Sequence, residues 1–459
     1  MYQIDFTTPI HIHFIGIGGI SMSGLAAILI DQNFKISGSD MKESALTEWM
    51  TSAGALVYYG QRASNIKADI DLVVYTAAIH DDNPEYAAAR ERQLPMLSRA
   101  ELLGQIMKNY QIPIAVSGTH GKTTTTSMAA HILLAADKDP TISVGGILKA
   151  IDGNIRVGAS EIFITEACEY TNSFLHFNPK ISLVLNIDAD HLDFFKDLDD
   201  IRNSFRRFAK RLPADGTLII NNDIPDYEEI VANLPCQIRT YGSHPKGDYT
   251  AKHITYDALA CGCFDFVKNG EILGHFQLQV PGAHNVDNAL AALALADLMS
   301  LPIETMQKGL LAFTGTNRRF EKKGEIGGVT IIDDYAHHPT EITATLTAAK
   351  DYPHKTIWCV FQPHTYTRTK ALLEDFAKAL AIADNVILPD IYAARETDTL
   401  GISSRTLMEK IHEIGGNAYY FPSFDAIENF LLEHCVHGDL LITMGAGDVV
   451  KIGEHLLGE

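Results

Sequence analysis

The sequence predicts an α/β protein of three domains: a Rossmann-like N-terminal domain, a central P-loop α/β domain and a Rossmann-like C-terminal α/β domain. Three observations carry this. Short apolar runs recur along the whole chain, separated by helix-length stretches, the pattern of alternating strands and helices. Two of these runs end in glycine-rich turns leading into helices, at 16–24 and 118–121. In the last third, each strand-like run ends in a cluster of polar residues, where open α/β sheets present ligand-binding groups.

Composition sets the bounds. The chain has 459 residues, 46% hydrophobic and 20% charged, an ordinary globular balance with room for two to four domains. No apolar run approaches the ~18 residues needed to span a bilayer. The first nine residues carry one acid, Asp5, and no basic region, so no secretory signal is read there and a cytoplasmic location is expected. A formal net charge of −20 argues against nucleic acid or a membrane surface as partner, while a nucleotide in a local pocket stays compatible. Six scattered cysteines, with Cys261 and Cys263 as the one close pair, read as reduced thiols rather than a zinc site.

The first domain is expected over 1–111. A strand at 11–15 runs into Gly16-Ile17-Gly18-Gly19 and Gly24, followed by an apolar helix at 25–30. A second strand at 35–37 ends at Asp40. A βαβ start with an acid about twenty residues after the glycines is close to a dinucleotide fingerprint, but the spacing departs from G-x-G-x-x-G, so a pyrophosphate cradle is read without NAD. Asp40 is placed for a ribose or base, or serves as a turn residue. Further strands fall at 56–58, 72–76 and 96–97.

The central domain, 112–317, opens on the apolar strand 112–116 and then Gly118-Thr119-His120-Gly121-Lys122-Thr123-Thr124, with a helix from 123. A strand, a glycine turn and a helix N-terminus aim backbone N–H groups and the helix dipole at an anion. Lys122 adds a positive head for outer phosphates and Thr123 a hydroxyl for Mg²⁺. The full P-loop pattern needs glycine at Val116, which this chain lacks. Strands at 162–165 and 181–186 end in Glu166-Ala167-Cys168-Glu169 and Asp188-Ala189-Asp190-His191. Glu166 and His191 are the candidates for a divalent cation. An alternating stretch at 248–280 reads as an antiparallel appendage, and helices follow at 289–299 and 303–313.

The third domain, 318–459, begins at Arg318-Arg319-Phe320, where two arginines can reach phosphate. Strands at 329–332, 356–361, 385–388 and 440–443 end in Asp333-Asp334-Tyr335-Ala336-His337-His338, Gln362-Pro363-His364-Thr365-Tyr366-Thr367-Arg368, Asp390-Ile391-Tyr392-Ala393-Ala394-Arg395 and Met444-Gly445-Ala446-Gly447-Asp448.

These motifs, on three α/β domains in this order, resemble the Mur ligases of peptidoglycan synthesis over essentially the whole chain. The resemblance is carried by residues 118–124, Glu166 to Glu169, Asp190-His191, Pro281-Gly282-Ala283-His284-Asn285 and Arg318-Arg319-Phe320. The third-domain motifs, with Gly401-Ile402-Ser403-Ser404, resemble the alanine-adding branch. The resemblance implies a cytoplasmic, ATP-dependent ligase, monomeric or weakly dimeric, that uses Mg²⁺ (or Mn²⁺). ATP would phosphorylate the lactyl carboxylate of UDP-N-acetylmuramate, and the amine of L-alanine would attack the acyl phosphate.

It further implies that Gly118, Thr119, His120, Gly121, Lys122, Thr123 and Thr124 hold the ATP phosphates, with Thr123, Glu166 and His191 at metal sites. By the same resemblance Asn285 and Asn288 would lie beside adenine, Arg319 by the transferring phosphate, and Asp334 on the ATP ribose. Lys122, Glu166, His191 and Arg319 would form the catalytic set. Tyr335 and His337 would lie near the amino acid, and His364 and Arg368 near the muramyl group. Gly18, Gly19, Asp40, Thr76, Ser98 and Arg99 would hold the UDP moiety. Several sister ligases carry a carbamylated lysine about fifteen residues after the histidine matching His191. Here Asn203-Ser204-Phe205-Arg206-Arg207 has none, so no carbamate is expected. Two other readings stand beside this one: the ligase that reattaches a recycled tripeptide to the same UDP-sugar, and a nucleotide-regulated binding protein without chemistry.

Overall fold

Strands and helices alternate along the computed structural model, which describes residues 2–76, 78–242, 247–394 and 396–459. Arg395 of the expected third-domain motif lies outside these residues. Three α/β domains are gathered into two compact units: Met1–Thr126, Leu133–Leu185 and Arg202–Arg239 in one, and Ser127–Ile132, Asn186–Ile201 and Thr240–Glu459 in the other. Residues 240–317, read from the sequence with the central domain, are thus packed in the second unit.

The first unit begins with β1 (His11–Ile15), α1 (Ile20–Asp31), β2 (Lys35–Asp40), α2 (Ala45–Ser52), β3 (Leu56–Tyr59), β4 (Leu72–Tyr75), α3 (Pro84–Glu91), β5 (Met96–Ser98) and α4 (Arg99–Met107). The strands form a parallel sheet in the order β3-β2-β1-β4-β5. The order reverses between β1 and β4, so the crevice at their C-terminal ends is the switch point where such sheets take ligands. Helix α1 begins at Ile20, five residues before the expected start. Gly19, in extended conformation, serves as its N-cap, and Gly24 is absorbed into the helix. A Cβ on Gly24 would stand 2.9 Å from Ile155, so this glycine serves helix packing rather than an anion cradle.

The same unit continues through β6 (Ile112–Ser117), α5 (Lys122–Ala135), β7 (Thr141–Leu148), β8 (Gly153–Arg156), β9 (Ile162–Ala167), β10 (Ile181–Val184), α6 (Leu198–Ala209), β11 (Thr217–Asn221) and α7 (Tyr227–Val231). These strands lie in the order β11-β10-β6-β9-β7-β8. All pairs recorded among them are parallel except the β7·β8 hairpin, which the apolar pattern of the sequence did not reveal. Strand β6 is central, buried from Pro113 to Ser117, which places its C-terminal turn in the middle of the sheet edge.

Strand β12 (Gln237–Tyr241) carries the chain onward. The second unit holds the predicted antiparallel appendage, β13 (Tyr249–Tyr256), β14 (Cys261–Lys268) and β15 (Glu271–Pro281), followed by α8 (His284–Leu298) and α9 (Ile303–Ala312). Helix α8 starts five residues earlier than expected, so Asn285 and Asn288 fall in its opening turns. The last sheet is built from β16 (Glu321–Ile326), β17 (Val329–Asp334), α10 (Pro339–Asp351), β18 (Ile357–Phe361), α11 (Tyr366–Ala371), α12 (Leu373–Leu380), β19 (Asn385–Leu388), α13 (Ser404–Glu413), β20 (Ala418–Tyr420), α14 (Phe424–His434), β21 (Leu440–Met444) and α15 (Val450–Leu457). Its order is β16-β17-β21-β18-β19-β20, parallel apart from β16. Apolar clusters cover both faces, one around Phe361, Phe376 and Leu388, the other around Trp358, Ile387 and Leu441. Strand β17 runs on through Asp333 and Asp334, two residues past the expected end, because both side chains find partners inside the fold. Among the described residues no helix is long and apolar enough to cross a membrane.

Candidate functional site

In the first unit, β6 ends at Ser117, whose hydroxyl donates to Leu183 O at 2.7 Å and ties the strand end to β10. The chain then turns through Gly118 (φ +146°) and Gly121 (φ +80°) into α5, backbone that glycine adopts at little cost. The turn leads directly into the N-terminus of α5, the end of a helix whose dipole favours an anion. Lys122 Nζ donates to Gly118 O at 2.5 Å, Thr119 O at 3.0 Å and Glu169 Oε2 at 3.1 Å. The pair is enclosed, with Lys122 15% and Glu169 2% exposed. Burial opposes the ammonium charge, but the negative field of Glu169, with Cys168 and Glu166 adding to it, overcomes that and holds the Lys122 pKa above its ordinary value.

Beside the lysine, Thr123 Oγ1 donates to Glu166 Oε2 at 3.0 Å, and Glu166 Oε1 accepts from Gly145 N at 2.5 Å. A Cβ at Gly145 would press on that carboxylate at 3.0 Å. A hydroxyl and a carboxylate oxygen held together beside an anion cradle are hard donors that fit Mg²⁺. Thr119 and Thr123 are buried, while His120 and Thr124 are half-buried. Arg99 reaches this region from the first sheet. Its Nη1 donates to Ser21 Oγ at 2.9 Å. Burial draws its pKa down, against the opposing pull of Cys168 and Glu166.

The glycine turn after β1 is hung on β2. Gly16 N and Ile17 N donate to Ser39 O at 2.8 and 2.9 Å, and Gly18 N donates to Asp40 Oδ2 at 2.9 Å. Asp40 Oδ1 accepts from Met41 N. Gly19 precedes α1, and the Thr76 methyl lies over Gly16, 3.7 Å from where a Cβ would stand. Ser98 caps α4 in a reciprocal box with Glu101. Gly18, Gly19, Asp40, Thr76, Ser98 and Arg99 therefore gather along one edge of the first sheet. Beyond the ends of β2, β3 and β4 a cavity of about 480 Å³ is lined by Met41, Gly60, Gln61, Ile79, His80 and Asn83 among others, and by none of those six residues.

The second unit holds a separate constellation. Asp190 Oδ1 accepts from His191 N at 2.7 Å and from Arg368 Nε and Nη2 at 3.2 and 3.1 Å. Burial alone raises a carboxyl pKa. Here Arg368, with His191 and His338, outweighs it and holds Asp190 far below the usual range. His191 has φ +55° and its Nε2 lies 3.7 Å from Asp190 Oδ2. His364 Nδ1 is 3.3 Å from Arg368 Nη1, and its ring stacks on Tyr392 with centroids 5.6 Å apart. Burial first, then the neighbouring His337 and Arg368, push His364 down to about 4. His337 hydrogen-bonds through Nδ1 to Tyr335 O, and the Tyr335 ring faces the guanidinium groups of Arg318 and Arg319 at 4.9 and 5.5 Å.

Asp334 is enclosed rather than displayed. Its oxygens accept from Phe320 N at 2.9 Å, Ala336 N at 2.7 Å and Thr345 Oγ1 at 3.2 Å. Burial raises its pKa to about 6, with Arg319 pulling the other way. Its carboxylate thus anchors the Arg318-Arg319-Phe320 segment. Asn285 Nδ2 donates to Pro281 O and Asn288 Nδ2 to Asn285 Oδ1, at 2.7 and 3.0 Å. The residues expected around ATP therefore fall on both units. Glu169 and Asp190 were not among the expected site residues, although both stand in motifs read from the sequence. An acid three residues after Glu166 at a strand end, opposite a lysine that needs a counter-charge, was the available signal.

Models of known families match three segments: the Mur ligase family catalytic domain over 11–111, the Mur ligase middle domain over 116–296, and the Mur ligase glutamate ligase domain over 318–447. The UDP-N-acetylmuramate–L-alanine ligase of Agathobacter rectalis is 63% identical over the full length of both chains, and that of Lachnospira eligens 60%. The crystal structure of the UDP-N-acetylmuramate-alanine ligase from Thermotoga maritima superposes with a TM-score of 0.82 at 29% identity, covering 98% of each chain. A murein peptide ligase from Psychrobacter arcticus gives 0.73 at 25% identity with the same coverage.

Proposed function

The chain belongs to the Mur ligase family, and we propose that it joins L-alanine to the lactyl carboxylate of UDP-N-acetylmuramate at the expense of ATP, in peptidoglycan precursor synthesis. Full-length identity of 63% to a ligase of that activity, without a region left unmatched, carries the reading. We place the enzyme in the cytoplasm, as a monomer or weak dimer.

A carboxylate is a poor electrophile, so the reaction first converts it. The γ-phosphoryl group passes to a lactyl oxygen and ADP is released. The alanine amine then attacks the acyl carbon, and phosphate leaves with the C–O bond, giving amide, phosphate and a proton. The groups that meet are anionic, and the chain's cations answer that repulsion. Lys122, kept charged by Glu169, faces the outer phosphates. Arg319 serves the phosphoryl group in flight. The 118–124 turn binds the phosphates through backbone N–H groups, and Asn285 and Asn288 orient adenine. Thr123 and Glu166 are the residues that would hold Mg²⁺ (or Mn²⁺), with His191 at a further metal position, and the bound metal supplies positive charge to phosphate oxygens. Tyr335 and His337 orient the amino acid, and His364 and Arg368 the muramyl group. Asp334 serves the ATP ribose and also ties down the Arg318–Phe320 segment through its carboxylate. The first-sheet edge, with Gly18, Gly19, Asp40, Thr76, Ser98 and Arg99, holds the UDP moiety.

Phosphate release tests the proposal, measured with ATP, Mg²⁺ and UDP-N-acetylmuramate while L-alanine, other amino acids and the murein tripeptide are added in turn. Release with L-alanine, matched by a UDP-sugar–alanine product, is the expected result. Release only with tripeptide, or with no amine at all, overturns it.

A further inference from the structure

Beneath the edge of the first sheet lies a carboxylate that no ligand can reach. Glu85, near the start of α3, is fully buried, as is His13 on β1. Burying a charge without compensation is expensive, and an apolar side chain would fill the space more cheaply. Its partners explain what it does there. Glu85 Oε2 accepts from Ser39 Oγ at 2.5 Å, and Oε1 from Asn65 Nδ2 at 2.5 Å and Arg62 N at 3.4 Å. His13 Nε2 stands 3.6 Å from Oε2. Behind it, Ser37 Oγ lies between His13 Nδ1 and His11 Nε2, at 2.9 and 2.8 Å, and His11 Nδ1 meets Asp69 at 3.1 Å. Burial opposes the charge of Glu85, but the nearby His13 ring and hydrogen bonds from Ser39 and Asn65 hold its carboxyl below the ordinary value.

Ser39 and Asn65 belong to segments that shape the ligand-facing edge. The carbonyl of Ser39 carries the Gly16–Ile17 turn. Asn65 also donates to Gly60 O, and Gly60 N donates to Asp40 O. Asn83 caps α3 through Glu85 N and Tyr86 N and holds Gln61 Oε1 at 2.6 Å. Gly60, Gln61 and Asn83 line the 480 Å³ cavity. One carboxylate thereby sets the places of the glycine turn, the end of β2 and the segment after β3. An amide has a single acceptor oxygen and cannot receive all three donors.

We propose that Glu85 is a positioning residue for the nucleotide sugar, setting affinity for it from below without touching it. This rests on the reading that the first domain holds the UDP moiety. The test compares wild type with Glu85→Gln in the full-length protein, by calorimetric titration with UDP-N-acetylmuramate and by steady-state kinetics in all three substrates. The expected result is a rise of about tenfold in Kd and KM for the UDP-sugar, with kcat and the KM values for ATP and L-alanine within about twofold of wild type. A folded variant that binds the UDP-sugar like wild type, or one whose kcat and three KM values all deteriorate together, overturns the proposal. Should Glu85→Gln not fold, Ser39→Ala removes one donor and leaves the charge. It should raise Kd about threefold, and an unchanged Kd overturns the proposal equally. A wild-type protein that does not bind UDP-N-acetylmuramate instead sinks the reading of the first domain.

Discussion

Lys122 shows what a local sequence pattern leaves out. The glycine turn and the lysine are neighbours in sequence, so their pattern identifies an anion cradle. The carboxylate that keeps the lysine charged comes from the end of another strand, 47 positions away. His364 makes the same point through protonation. Packing against His337, Arg368 and Tyr392 holds it neutral, at about 4 against an unfolded value near 6.5. As pH falls below about 6.5, the unfolded chain takes up a proton that the folded chain refuses, so stability is full above that value and drains away toward pH 4. Urea midpoints measured at about pH 7 and about pH 5 should fall more for wild type than for His364→Gln. Equal falls would mean that the folded imidazole titrates normally.

At the scale of elements, sequence located every strand of the first sheet and four of the six in the last but misplaced helix starts, in the first domain because glycines carry two meanings. In the first turn, Gly16 bends the chain at φ +86° while Gly24 makes room for a neighbour, and composition does not separate these uses. Gly104 in α4 is a further case. A Cβ there would stand 2.0 Å from the backbone oxygen of His176, which cannot move aside as a side chain could. Asn178 Nδ2 also donates to Gly104 O at 3.0 Å. Gly104→Ala should destabilise the protein by about 1–3 kcal/mol through overpacking. Gly153→Ala, where the nearest atom is 3.9 Å away, should stay within about 0.5 kcal/mol as a surface-type change. Denaturant unfolding of both variants decides, and equal stabilities would contradict the packing argument.

For the whole molecule the governing quantity is charge. A net −20 chain must attract two anionic nucleotides, so local cations work against the global field. That opposition depends on salt, since the screening length shortens from roughly 20 Å in ~20 mM salt to roughly 6 Å in ~300 mM. Arg99→Gln should therefore raise KM for UDP-N-acetylmuramate more in the dilute buffer than in the concentrated one. An equal rise in both would assign Arg99 a packing role instead of an electrostatic one.

By itself, the sequence determined the α/β class, the positions of most strands, the glycine turn between β6 and α5, and the family. Each depends on residues a few positions apart or on motifs met in a fixed order, and short-range geometry makes such patterns readable. Tertiary structure decided the rest. It drew Asp190 to Arg368 across 178 positions, enclosed Asp334 that a strand-end reading would display, gathered residues 240–317 into the second unit, and set Glu85 beneath the first sheet. The physical reason is common to all four. Which buried charge finds which counter-charge, and which surface is covered, is settled by packing between segments distant in the chain, and no local pattern encodes that partner.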